Sequence, residues 1–116
     1  MPSTQSSESA LTRKSCKACD GKVEALTEPQ IAQLMGEIPG WERAGNVISK
    51  AYKFKNYYET IAFVNATAWI SHREDHHPDL EVGYNACRVR YTTHSVNGLS
   101  ENDFICAAKI ETLLRL

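Results

Sequence analysis

The chain has 116 residues, 42% of them apolar and 23% charged, an ordinary globular composition with enough apolar material for one core. A formal net charge of −1 with the signs interspersed offers no single-sign field to nucleic acid or an anionic membrane, which points to a small-molecule or protein partner. No stretch approaches the roughly 18 apolar residues of a membrane span, and the polar start Met1 to Glu8 lacks the regions of a secretory signal, so a cytoplasmic protein is expected.

Residues 1 to about 25 are rich in Ser, Lys and Thr and poor in large apolar side chains, so a mobile leader is expected there, with the domain proper over 26–116. The leader carries Cys16-Lys17-Ala18-Cys19, half of a zinc site or a redox pair. A structural zinc site needs four ligands, and no second pair follows at a suitable spacing. The four cysteines read as reduced thiols, with Cys87 and Cys106 on buried faces and no metal expected.

Thr27-Glu28-Pro29-Gln30 supplies a capping oxygen, an early Pro and a reciprocal Gln, and so opens a helix striped by Ile31, Leu34 and Met35. Pro39-Gly40 closes it, and a strand beginning at Trp41-Glu42-Arg43 turns at Gly45-Asn46 into a second. There Ile48, Tyr52 and Phe54 alternate with Ser49, Lys53 and Lys55. Asn56 with Glu59 caps the longest helix, from about Tyr57 to Asp75, whose expected packing stripe is Tyr58, Ile61, Ala62, Val64, Ala68 and Trp69. Pro78 ends it, and a third strand follows with Leu80, Val82 and Tyr84 alternating. After a turn at Tyr84-Asn85, Cys87, Val89, Tyr91 and Thr93 form one face of the fourth strand. Ser100 to Asp103 is a capping box opening a last helix striped by Cys106, Ala107, Ile110, Leu113 and Leu114.

The expected fold is therefore α+β, ordered α-β-β-α-β-β-α, with a four-stranded antiparallel sheet and the helices packed on one face. The other sheet face carries charge. Open sheet edges make a homo-oligomer, dimer or tetramer, the expected assembly.

All four histidines lie in two places, His72-Arg73-Glu74-Asp75-His76-His77-Pro78 and Thr92-Thr93-His94. Imidazole is the side chain that titrates near neutral pH, so this concentration marks the candidate site. Three readings compete. The histidines could be surface or helix-end residues favoured by the helix dipole. They could bind a metal, His72 and His76 being four apart on a helix, although no third ligand of suitable reach follows. Or one imidazole donates a proton while another accepts one, with Asp75 or Asp103 orienting a ring.

Written out, the spacing is His72-x3-His76-His77-Pro78-x5-Tyr84-x9-His94-x8-Asp103. Together with Thr92-Thr93-His94, Gly98-Leu99-Ser100 and the Pro-Gly-Trp at 39 to 41, this resembles the pterin-4a-carbinolamine dehydratase family from about Leu26 to Leu116. The resemblance implies a lyase that dehydrates 4a-hydroxytetrahydropterin to quinonoid dihydropterin with no metal or organic cofactor, recycling the pterin used by an aromatic amino acid hydroxylase, itself a candidate partner. It implies His76, His77 and His94 as catalytic imidazoles, and a pterin held by Pro78, Thr93, Ser95 and Val96 with His72, Tyr84, Asp103 and Trp41 lining or supporting the site. Position 72 is His where many relatives carry a carboxylate. The same family admits a non-catalytic role as a dimerisation or regulatory binding module.

Overall fold

The computed structural model describes residues 10–17 and 23–115, and Cys19 falls outside them. Three helices, α1 (Glu28–Met35), α2 (Tyr57–Glu74) and α3 (Glu101–Thr112), accompany four strands, β1 (Glu42–Ala44), β2 (Val47–Lys53), β3 (Asp79–Val82) and β4 (Ala86–Tyr91). Their chain order is α-β-β-α-β-β-α, and the sheet runs β1-β2-β4-β3 with every pairing antiparallel. Both hairpins therefore form as expected, and β2 against β4 joins them, with Ile48 opposite Tyr91 and Tyr52 opposite Cys87.

Period-2 alternation decides which sheet face is packed. Ile48 and Tyr52 on β2 and Cys87, Val89 and Tyr91 on β4 are buried and meet Phe63 and Ile70 of α2 and Phe104, Ala107 and Ile110 of α3 in one core. The opposite face is polar. Arg88 lies near Glu42 at 3.8 Å, and Arg90 pairs with Glu81 at 3.1 Å across β4 and β3. Helix α1 opens on the expected capping box, with the Thr27 N–H donating to Gln30 Oε1 at 2.8 Å.

Helix α2 starts on its expected cap, Glu59 N–H donating to Asn56 Oδ1 at 2.9 Å, but presents a different face from the expected one. Its buried residues are Thr60, Phe63, Thr67 and Ile70, while Tyr58 is 82% and Trp69 65% exposed. Spacing of three and four gives both sets equal claim to a stripe; what separates them is hydroxyl satisfaction. Thr60 Oγ1 bonds the Asn56 and Tyr84 carbonyls, and Thr67 Oγ1 the Val64 carbonyl, so threonine is buried without an orphaned polar group.

A 3-10 turn that was not expected, Ala10–Arg13, packs on α3 and puts Leu11, only 2% exposed, into the core. Lys109 Nζ donates to the Thr12 carbonyl at 3.0 Å and helps hold it. Leu11→Ala is expected to cost about 2–4 kcal/mol through lost burial and the cavity left behind, read as a lower urea midpoint at unchanged slope. A midpoint equal to wild type would mean the turn contributes nothing to the core.

One inward-facing charge on β2 has its partner on α3. Lys50 Nζ donates to Glu111 Oε2 at 2.7 Å, Trp41 Nε1–H donates to the same oxygen at 3.2 Å, and the Tyr52 hydroxyl donates to it as well. Burial pushes the Glu111 carboxyl up, but hydrogen bonds from Lys50 and Tyr52 outweigh it and hold the group below its ordinary 4.5. A carboxyl held below its unfolded value stabilises the fold above that value, and the contribution is lost as pH falls through the folded value. Stability of the wild type should therefore drop as pH is lowered from about 5 to 3, and Glu111→Gln should flatten that slope in urea titrations.

Candidate active site

Helix α2 delivers the first histidine pair by ending abruptly. Asp75 takes a left-handed conformation, φ 53°, and its N–H and that of His76 both donate to the Ser71 carbonyl. The helix has thus unwound by one residue before the pair, so adjacent side chains part company. His76 turns inward and is 9% exposed, while His77 stays in solvent, its Nδ1 3.4 Å from the Pro78 carbonyl. Pro78 is half-buried and leads directly into β3.

Strand β4 delivers the other segment. Thr93 closes a loop on Gly98, its N–H donating to the Gly98 carbonyl at 2.9 Å, and the loop is turned by a 3-10 element, His94–Val96, and by Asn97 at φ 52°. The loop backbone is anchored at Thr93, which is buried. His94 and Ser95 project into solvent and Val96 is half-buried.

Asp103 ties the two segments together. It sits in the first turn of α3, 0% exposed, and one oxygen serves the capping box, accepting the Ser100 N–H at 2.9 Å. The same Oδ2 accepts the Thr93 hydroxyl at 2.8 Å, and Oδ1 faces His76 Nε2 at 2.7 Å. A carboxylate only accepts, so the imidazole proton on that side belongs to Nε2 and the lone pair of the neutral ring to Nδ1. With its proton given to Asp103, Thr93 Oγ1 takes the Ser100 hydroxyl proton at 2.7 Å, and every member of the buried network is satisfied. Tyr91 lies flat against His76, ring centroids 5.5 Å apart at 15°, and fixes the plane of the imidazole.

His77 and His94 are thus each one residue away from a side chain bonded to the same carboxylate. Of the other expected site residues, His72 is exposed one turn before His76 on α2. Tyr84 is exposed at the β3–β4 turn, its carbonyl held by Thr60 Oγ1 at 3.0 Å. Trp41 is buried and committed to Glu111, and it meets this cluster through Tyr91, 6.3 Å from its ring. Clefts of about 570 and 230 Å³ open elsewhere, the larger between α1 and the start of α3. Among the described residues, no three His, Cys, Asp or Glu side chains group as a metal would require.

Sequence reasoning overlooked Tyr91 as a neighbour of His76. The signal was available: Tyr91 ends β4 two residues before Thr93, and the period-2 pattern of Cys87, Val89, Tyr91 and Thr93 puts both on one face. The Tyr91 hydroxyl is buried with no hydrogen-bond partner of good geometry among the described residues, and burial together with the neighbouring Cys106 pushes its pKa up.

Residues 24–113 match the family described as Pterin 4 alpha carbinolamine dehydratase. A protein of Nitrosospira multiformis named "Putative pterin-4-alpha-carbinolamine dehydratase" is 60% identical over 91% of this chain and 94% of its own. One of the same name from Nitrosomonas eutropha is 57% identical over 90% and 93%. The crystal structure of a transcriptional coactivator/pterin dehydratase from Brucella melitensis superposes with a TM-score of 0.74 at 30% identity, covering 77% of this chain and 97% of that one.

Proposed function

Because the chain belongs to the pterin-4-alpha-carbinolamine dehydratase family, we propose that it removes water from a 4a-hydroxytetrahydropterin to give the quinonoid dihydropterin, with His76, His77 and His94 as its acid–base groups. The observation that supports this reading is the Asp103 carboxylate, which bonds both His76 and Thr93, the chain neighbours of His77 and His94, so that one buried anchor holds both histidine segments.

The reaction breaks the C4a–O bond and the N5–H bond and forms a C4a=N5 double bond. His77, free in solvent, gives a proton to the departing hydroxyl, which leaves as water. His94, or His76 through Nδ1, takes the proton from N5. No electron is gained or lost overall, so acid–base groups suffice and neither metal nor organic cofactor is called for. The bicyclic ring would lie over Pro78 and the Thr93–Val96 loop, with Ser95 and Val96 in contact and the exposed Tyr84 and His72 at its margin. Asp103 and Trp41 would support the site from beneath. An aromatic amino acid hydroxylase supplies the substrate and is a candidate partner. A cytoplasmic homo-oligomer, dimer or tetramer, fits the free thiols at Cys16, Cys87 and Cys106 and the open sheet edges.

The deciding measurement is dehydration of a synthetic 4a-hydroxytetrahydropterin followed by absorbance. The wild type should exceed the spontaneous rate, and a rate equal to the uncatalysed one would end the proposal. A second reading, a binding module of the same fold, is favoured by the exposed aromatics Tyr58 and Trp69 on α2. It would be supported by wild type and His77→Ala both reacting at the spontaneous rate.

A further inference from the structure

Cys16 and Cys106 come from distant parts of the chain, yet their sulfurs lie 3.6 Å apart, in van der Waals contact. Cys106 is fully enclosed on α3, its sulfur 4.0 Å from the His76 carbonyl. Cys16 is half-buried in an irregular stretch after the Ala10–Arg13 turn. Its backbone is held at two adjacent points. The Cys16 N–H donates to Glu74 Oε1 at 2.8 Å, and Lys17 exchanges two hydrogen bonds with the Asn102 side chain, at 3.0 and 2.9 Å. Burial as small apolar groups would account for either cysteine alone. It leaves unexplained why one sulfur is steered onto the other.

We infer that Cys16 and Cys106 are a redox pair, which a hydroperoxide joins as a reversible disulfide fastening the N-terminal segment to α3 beside His76. Cys16, the less buried of the two, meets the oxidant first: its sulfur attacks the O–O bond, takes up the hydroxyl as a sulfenic acid, and the remaining oxygen leaves as water or alcohol. Cys106 Sγ then attacks the Cys16 sulfur. The S–S bond forms, the S–O bond breaks, and the hydroxyl departs with the Cys106 proton as water. The two sulfurs lose two electrons and the peroxide gains them.

Bond formation asks Cys16 to advance by about 1.5 Å, which a residue outside any helix or strand can do. The Cys106 contact, followed by burial, pushes the Cys16 thiol well above its ordinary range. It is therefore a slow, protonated thiol at neutral pH and needs excess oxidant. Small thiols restore the pair by exchange. Cys19, three positions on, is the competing partner for Cys16.

The test is hydrogen peroxide treatment of the full chain, followed by proteolysis without reductant and mass spectrometry. The expected product is a linked Cys16–Cys106 peptide in a protein lighter by two hydrogens, absent from Cys16→Ser and Cys106→Ala and kept in Cys19→Ser. The bond closes a loop across a separation of 90 residues, and the melting midpoint should rise on the order of 10 °C and return with dithiothreitol. A Cys16–Cys19 link alone, an oxidised Cys16 with Cys106 still reduced, or a wild type that peroxide leaves unlinked would each overturn the inference. The wild-type peptide map decides this even where a variant fails to fold.

Discussion

Asp103→Asn is expected to fold and to lower kcat for carbinolamine dehydration by about 10²–10⁴-fold, the usual contribution of a positioned acid–base group. The amide is nearly isosteric with the carboxylate but has one accepting oxygen where Asp103 has two. That oxygen is claimed by the Ser100 N–H and the Thr93 hydroxyl, which both bond Oδ2. The amide nitrogen is then left facing His76 Nε2, where Oδ1 stood at 2.7 Å. Two donors cannot share that contact, so the imidazole must place its proton on Nδ1 and accept through Nε2. His76 keeps its position and its stacking on Tyr91 but presents Nδ1 to substrate as an N–H donor, no longer able to accept a proton.

Asp103→Ala separates this effect from stability. It strips the acceptor from His76, Thr93 and the Ser100 N–H together, all in a buried setting. Breaking one partner out of a buried charged network costs about 3–5 kcal/mol, so the alanine variant should lose stability as well as rate. Urea denaturation alongside the dehydratase assay distinguishes the two substitutions. Wild-type kcat in a folded Asp103→Asn protein would show that the carboxylate is only a helix cap.

The alternation of Cys87, Val89, Tyr91 and Thr93 was legible because a strand buried on one face leaves a period-2 record, and all four are buried. The caps at Thr27 and Asn56 were legible because the capping side chain bonds a backbone N–H three residues on. The face of α2 was not. Counting apolar residues favoured Tyr58 and Trp69, whereas the fold buries Thr60 and Thr67, whose hydroxyls find carbonyls within their own helix. Lys50 broke the β2 pattern for a reason 61 residues away, the Glu111 carboxylate. The histidine spacing announced the site region, but the direction of each ring depended on the left-handed turn at Asp75, and an Asp, though it enters that conformation more readily than most non-glycine residues, signals it only weakly.

His77→Ala and His94→Ala are each expected to lower kcat by about 10²–10⁴-fold while leaving the unfolding free energy from urea titration within about 0.5 kcal/mol of wild type. Both residues are exposed, and removing either side chain opens no cavity. His76→Ala contrasts with them. It removes a buried ring that stacks on Tyr91 and leaves the Asp103 oxygen unpaired, so rate and stability should fall together. The double variant His77→Ala/His94→Ala carries the sharper information. If one residue protonates the leaving hydroxyl and the other receives the N5 proton in a single transition state, losing both should cost far less than the product of the single losses, because each is useless without the other. Fully multiplicative losses would mean that the two imidazoles contribute independently, with no coupling between the two proton transfers. Unchanged kcat in both single variants, at unchanged stability, would remove the two exposed imidazoles from the chemistry altogether.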